Sequence, residues 1–345
     1  MDKYKGKKQR AQGTEEFAEE KMTPNTYRRL CECGSWIDMY TDKDLTKFKV
    51  HQANFCKNRF CPMCAWRQAK KDALKVSVMM DYAEDVYDMR YIFVTLTAPN
   101  VTGDKLIDAI KQYNKAFKAL LLRKEIIPIS QGFIRKLEVT YDGEETITRD
   151  MWEGTGRHKN KARANYYMRR GFDIGDANPN YDTYHPHFHC IFAVKKSYFD
   201  SRYYVKQEKW LNLWRAVMKD ESITQVRVQR VRKIPGKGGK AVNEIAKYAA
   251  KDTDMTQSQE VYNTFYDALK GRQVLTFGGV FIGANKKFKD KELDDYIALD
   301  DTPYFYEVMY SWGGEEYVEL ERRELTEDEQ LKLAGQLIIE LDIDQ

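Results

Sequence analysis

Two apolar spacings alternate along this chain, one of period two and one of helical period. Tyr91-Ile92-Phe93-Val94-Thr95-Leu96-Thr97 is apolar almost without a break and ends at Pro99-Asn100, the pattern of a buried strand. Gln68 to Asp85 carries Ala69, Ala73, Leu74, Val76, Val78 and Met79 at helical intervals, and Gly103 to Lys124 places Leu106, Ile110, Tyr113, Phe117, Leu120 and Leu121 along one side of a second helix. Phe133 to Thr140 is a second strand, expected to open a long hairpin whose partner is His187 to Val194. A helix from Tyr203 to Asp220, a strand from Ile223 to Val231 and a helix from Ala241 to Lys251 complete the pattern, the last preceded by a Gly- and Lys-rich loop, Ile234 to Lys240. The elements lack the steady strand–helix rhythm of a parallel sheet, so the expected class is α+β, a central antiparallel sheet with packed helices. No apolar run approaches the roughly 18 residues of a membrane span, so no membrane partner is expected.

The strand at the end of that hairpin carries the densest chemistry. Three of the five histidines fall within Tyr184-His185-Pro186-His187-Phe188-His189. Side chains two apart on a strand share a face, so His185, His187 and His189 point one way while Phe188 and Cys190 point the other. Neutral imidazoles gathered on one face are a common way to hold a divalent metal. The plainer alternative is a polar strand face with one hydrogen-bonded histidine.

Five of the six cysteines lie between Lys21 and Lys70. Cys56-x4-Cys61-x2-Cys64, with Cys31 and Cys33 upstream, has the spacing of a structural Zn2+ site. Cys33, Cys56, Cys61 and Cys64 are the expected ligands, with Cys31 and His51 remaining as substitutes. Disulfides are the rival reading. The basic start Met1 to Arg10 has no apolar segment after it, unlike a secretory signal, which favours zinc and a cytoplasmic setting. Such an ion would fold a segment too small to bury a core of its own.

The net charge of +4 conceals an asymmetry: residues 285–345 hold 7 Lys or Arg against 18 Asp or Glu, so residues 1–284 carry +15. A basic body suits a polyanion, and the acidic segment either binds something else, shields the site or is simply kept soluble by its charge. The organisation expected from these shifts is a flexible basic arm over 1–24, a zinc-binding subdomain and helix over 25–84, a main domain over 85–284 and an acidic segment over 285–345. Arg163, Arg169 and Arg170 lie in a basic, tyrosine-containing stretch that suits phosphate contact and base stacking, or a solvated loop with packed tyrosines. Arg227, Arg230, Arg232, Lys233, Lys237 and Lys240 follow around the third strand and its loop, and Lys247 and Lys251 around the last helix; all are candidates for contact with a polyanion backbone.

Glu244 and Tyr248 are four apart, on one face of the expected Ala241–Lys251 helix. A phenol near pKa ~10 is a poor nucleophile without help. With 23 tyrosines in the chain, spacing alone favours a packing role for this one.

Four blocks in order give these residues a common reading: Phe55-Cys56-Lys57-Asn58-Arg59-Phe60-Cys61-Pro62-Met63-Cys64, Phe93-Val94-Thr95-Leu96-Thr97, Pro186-His187-Phe188-His189, and Glu244-Ile245-Ala246-Lys247-Tyr248 followed by Lys251-Asp252-Thr253-Asp254. Over roughly Cys31 to Asp254 the chain resembles the rolling-circle replication initiators of Gram-positive plasmids, within the HUH endonuclease superfamily; the acidic segment lies outside the resemblance. The resemblance implies a ferredoxin/RRM-like nicking domain in which His187, His189 and Glu138 hold Mg2+ or Mn2+. His185, outside the two-histidine motif, becomes a neighbour of the metal or a phosphate contact. The resemblance further assigns to Tyr248 the nucleophile that forms a 5′-phosphotyrosine at the plasmid double-strand origin, and to Glu244 the activation of water in the terminating step. The implied partners are origin DNA, single-stranded or extruded as a hairpin, a host helicase and DNA polymerase, and a second copy on DNA. A single-tyrosine transposase or relaxase of the same superfamily, and a zinc-stabilised origin-binding repressor without nicking activity, are the alternatives.

Overall fold

The structure, a computed structural model, describes residues 1–156, 161–231 and 239–342. Nine strands are described: β1 Trp36–Thr41, β2 Phe48–Ala53, β3 Met89–Leu96, β4 Gly132–Asp142, β5 Thr183–Lys195, β6 Val226–Arg230, β7 Leu275–Gly279, β8 Tyr306–Trp312 and β9 Tyr317–Glu324. They form two antiparallel sheets, a larger one in the order β6-β3-β5-β4-β7 and a smaller one in the order β2-β1-β8-β9. The mixed α+β class with a central antiparallel sheet is as the patterning predicts.

β5 is the middle strand of the larger sheet and is covered on both faces, which is why its sequence is a continuous apolar run rather than an alternating one. Phe188, Cys190, Phe192 and Val194 point into a core shared with Tyr113 and Phe117 of the Leu106–Leu121 helix and Trp210 and Trp214 of the Gln207–Met218 helix. Ile191 and Ala193 point the other way, into a second core built with the Pro62–Tyr87, Gly239–Ala246 and Val280–Lys289 helices. His187 and His189 continue this second face toward the start of the strand. Their side chains therefore open beside the Gly239–Ala246 helix and not among the tryptophans.

The Pro62–Tyr87 helix starts six residues earlier than its apolar spacing suggests. Pro62 occupies its first turn, where a missing N–H costs nothing, and Asp88 ends it in a left-handed conformation at φ 50°. Cys61 and Cys64 thus bracket the helix start.

Two parts of the expected organisation differ. Segment 1–24, expected as a flexible arm, contains the helices Asp2–Gln12 and Glu15–Ala18. The segment is tied down: Ala11 is fully buried, Tyr4 meets Trp66 edge-on at 5.1 Å, and Lys8 Nζ donates to Cys31 O at 3.0 Å. The boundary expected at 284/285 falls inside the Val280–Lys289 helix, and the acidic stretch beyond it supplies β8 and β9. β8 pairs with β1 along Trp36–Thr41, so it completes the sheet of the cysteine-rich region. Among the described residues, no helix is long and apolar enough to cross a membrane.

Candidate metal centres and the tyrosine between them

Antiparallel pairing sets Glu138 of β4 opposite His187 of β5, and β3 sets Thr95 opposite His189. The result is a tight convergence of three buried side chains. Glu138 Oε2 lies 3.2 Å from His187 Nε2 and 2.8 Å from His189 Nε2, and the two Nε2 atoms are 3.1 Å apart. His187 Nδ1 lies 3.2 Å from the carbonyl of His185, so with an ion bound a proton on Nδ1 would donate to that oxygen and leave Nε2 free to ligate, whereas without one Nε2 faces Glu138. Burial acts to raise the Glu138 carboxyl, but hydrogen bonds from His187 and His189 outweigh it and hold it well below the usual range. Burial likewise lowers His189, with Glu138 opposing, which favours the neutral, ligating imidazole. Two imidazoles and a carboxylate fit a divalent cation and would leave it coordination positions to fill.

His185 lines the same cleft with its ring stacked on His187 at 5.1 Å, but it does not converge on the other three. Burial, helped by His187 and Arg163, pushes it down to about 3. Calorimetric titration of zinc-loaded protein with Mn2+ separates the imidazoles. His187→Ala is expected to lose binding at this site, whereas His185→Ala should weaken it by no more than roughly 10–100-fold, the scale of a ligand's neighbour. The reverse order would exchange their roles.

The cleft encloses about 710 Å3, and Arg163, Arg227, Arg230, Lys240 and Lys247 bring positive charge to it. Arg163 is already paired with buried Asp142 at 2.9 Å, and Arg230 lies over the Phe199 ring at 4.3 Å. Arg169 and Arg170 are exposed on the Lys161–Arg170 helix and do not line the cleft, nor does exposed Lys251. Arg232, Lys233 and Lys237 lie outside the described residues.

Tyr248 is not on the helix that its spacing to Glu244 predicts. That helix ends at Ala246, and Tyr248 follows in an irregular segment. The physical cause is competition for backbone partners: β7 covers β4 only from Gly132 to Lys136, and beyond it Leu137 N–H donates to Val274 O and Val139 N–H to Ala249 O, both at 2.8 Å. Pairing with β4 draws residues 247–251 out of helical geometry. Glu244 consequently lines the metal cleft, held by Lys247 Nζ at 2.7 Å, whereas Tyr248 lines a separate cavity on the cysteine-rich side. The Tyr248 hydroxyl accepts from Lys7 Nζ at 2.9 Å, and the same ammonium sits 5.3 Å from its ring centre. Burial, reinforced by Asp252 and opposed by Arg10, raises this hydroxyl above the ordinary tyrosine range. Lys7, 241 positions away in sequence, had no local signal.

Cys33, Cys56, Cys61 and Cys64 form a second cluster. Their sulfurs are separated by 3.5 Å (Cys33–Cys64), 3.6 Å (Cys56–Cys64) and 3.6 Å (Cys33–Cys61). Zn–S bonds of about 2.3 Å in a tetrahedron require edges of roughly 3.7 Å, so the donor set fits zinc. Backbone N–H groups of Cys56, Lys57 and Asn58 donate to these sulfurs at 3.2–3.4 Å, as suits thiolates. Cys31 lies outside this quartet. His51 belongs to another group, 2.9 Å from Glu307 and 3.3 Å from Asp38, which Arg323 extends as an ion-pair network.

Residues 47–318 match the family model described as Replication protein. The chain is 41% identical over 255 residues to "Protein rep" of Staphylococcus aureus, covering 74% of this chain and 94% of that relative. It is 32% identical over 344 residues to "Protein rep" of Bacillus amyloliquefaciens, covering 90% and 91%, and 30% identical over 266 residues to "Protein rep" of Streptococcus pneumoniae, covering 76% and 71%. No solved structure matches. The family match takes in β8 and ends inside β9, so the acidic stretch is partly within the family rather than outside it, in keeping with its place in the smaller sheet. With the cleft, Tyr248 and three of the four clustered cysteines all inside the matched span, the chain belongs to the Replication protein family.

Proposed function

We propose that this chain nicks one strand at a plasmid origin and rejoins it after rolling-circle copying, through a covalent 5′-phosphotyrosine at Tyr248. The observation that carries this reading is the convergence of Glu138, His187 and His189 in a basic cleft bordered by Glu244, in a chain of the Replication protein family. Relatives that bear the names "Protein rep" and "Replication protein" support a role on DNA.

Arg227, Arg230 and Lys240 hold the backbone so that one phosphate lies at the three ligands. An Mg2+ or Mn2+ ion bound there supplies the positive charge that polarises the phosphate. Tyr248 leaves Lys7 and turns toward the cleft that its neighbour Lys247 lines. The phenolic oxygen bonds to phosphorus, the bond from phosphorus to the 3′ oxygen breaks, and the proton shed by the phenol is balanced by the one the departing oxygen gains. The free 3′-OH is extended by a host polymerase, with a helicase opening the duplex. The phosphotyrosine conserves the ester, so a later 3′-OH rejoins the strand without ATP. In the terminating round Glu244 takes a proton from the attacking water. The scissile region is single-stranded or hairpin DNA, since a tyrosine on a fixed segment cannot reach a phosphate in regular duplex without distorting it. Action as a dimer on DNA belongs to the same reading.

The test is a supercoiled origin plasmid incubated with the protein and Mn2+. Relaxed circles carrying protein on the 5′ end are expected, and a chelator should prevent them. Bound but intact plasmid, or nicks without attached protein, would overturn the proposal. In the same assay Glu244→Ala should leave the first cleavage within about tenfold while hydrolytic release slows by roughly 100-fold or more, the usual worth of a general base. Equal loss in both steps would remove Glu244 from its role.

A further inference from the structure

The cavity that holds Tyr248 is distinct from the metal cleft and has its own chemistry. It encloses about 590 Å3 between the cysteine-rich region, β4 and residues 246–250. Six cations line it, Lys57, Arg59, Arg67, Lys71, Lys136 and Lys247, against a single carboxylate, Asp72. Asp72 lies 3.6 Å from the buried ammonium of Lys136. Arg67 is stacked over Phe55 at 4.0 Å, and its buried Nε has no partner among the described residues. Arg59 donates to the carbonyls of Leu269 and Arg272 at 3.0 and 2.7 Å, which fix its direction without neutralising it. Lys57 and Lys71 are exposed at the rim. Lys136 is paired with Asp72 and Lys247 with Glu244, and the remaining four cations around one concavity repel one another, a repulsion that an entering polyanion would offset.

The cavity is also joined to the reaction. Lys247 lines both it and the metal cleft, and Tyr248 is the next residue. A strand with one phosphate at Glu138, His187 and His189 therefore continues past Lys247 into this second basic space. The zinc cluster shapes the outer wall: Lys57 is held in a left-handed conformation at φ 59°, with its N–H on Cys64 Sγ at 3.2 Å.

We infer that this cavity binds the single-stranded DNA that flanks the nick, recognising its sugar-phosphate backbone through Lys57, Arg67 and Lys71. The inference rests on the nicking reading for the identity of its ligand. Its wall comes from the cysteine-rich region, so the structural zinc site also orders part of the DNA path.

Two measurements on the full, zinc-loaded chain test it. In Tyr248→Phe protein, which cannot consume the oligonucleotide covalently, a single-stranded origin oligonucleotide should protect Lys57 and Lys71 from acetylation several-fold, read by mass spectrometry. Lys43, which lies over Phe305 on the smaller sheet, should label equally with and without DNA. In a Lys57→Ala/Lys71→Ala chain the slope of log binding constant against log salt should fall by about 1.4, two contacts at roughly 0.7 each for single strands. Undiminished labelling of both lysines on bound protein, or an unchanged slope in a double variant that retains its zinc, would overturn the site. Should the double variant fail to fold, the labelling result decides alone. The native chain distinguishes the two ideas: a covalent adduct with unprotected lysines sinks this site only, whereas protection without any adduct sinks the nicking reading only.

Discussion

Tyr248→Phe is expected to abolish the covalent protein–DNA adduct and to lower single-turnover cleavage by on the order of 10⁴-fold or more, the scale on which loss of a nucleophile acts. Phenylalanine keeps the ring that packs against the larger core, so metal binding, zinc content and DNA affinity should be near those of the native chain. Among the residues that line the two cavities, Tyr248 is the one tyrosine, which leaves no neighbour of the same chemistry to substitute. Gel separation of adduct after denaturation is the measurement. An adduct that persists in the variant would place the nucleophile on another side chain and would turn the Lys7–Tyr248 hydrogen bond into a packing detail.

The second large effect concerns zinc. Cys61→Ser should lose the structural ion, measured by elemental analysis, and with it the cooperative melting of the cysteine-rich region. Structural zinc contributes about 10–16 kcal/mol in small metal-folded peptides, comparable to or larger than the roughly 5–15 kcal/mol that keeps a whole domain folded. The smaller sheet itself buries few side chains, Ile37, Met39, Val308 and Tyr310, with a satellite cluster of Tyr304, Leu325 and Leu333 against the Glu327–Leu333 helix. Hydrogen exchange in β1, β2, β8 and β9 should rise while β3, β4 and β5 stay protected. A variant that keeps one zinc and melts as a single unit would show that Cys31 or another group can replace the lost sulfur. Because Lys57 is fixed through Cys64, loss of zinc should also weaken DNA binding before it affects the metal cleft.

The two predictions differ in how far their residues could be read from the chain itself. The cysteine quartet was legible because its chemistry is local: Cys56, Cys61 and Cys64 lie within nine positions, and a turn into a helix beginning with Pro62 brings the last two together. The Glu138, His187 and His189 cluster was legible for a similar reason. Strand periodicity puts His187 and His189 on one face whatever surrounds them, and a long hairpin brings β4 alongside. His185 shows the limit of periodicity: it shares the face and the stacking but not the convergence, because it sits opposite Thr140 and one step beyond Glu138.

The rest depended on partners distant in sequence. The helix-based pairing of Glu244 with Tyr248 failed because a hydrogen bond from Val139, more than a hundred residues earlier, ends the helix at Ala246. Lys7 and the basic wall of Lys57, Arg67 and Lys71 carry no pattern of their own; they matter only once the N-terminal helix and the Pro62–Tyr87 helix are packed in place. The acidic C-terminal stretch looked separable by charge, yet β8 and β9 are strands of the cysteine-rich sheet, since an edge of unpaired backbone groups on β1 is satisfied by whichever strand can reach it. By itself, then, the sequence determined which side chains share a face and which sulfurs can meet, since both follow from backbone geometry over a few residues. Only the tertiary structure decided which way Tyr248 faces and what surrounds it, because backbone hydrogen bonds and charge are satisfied across the whole fold.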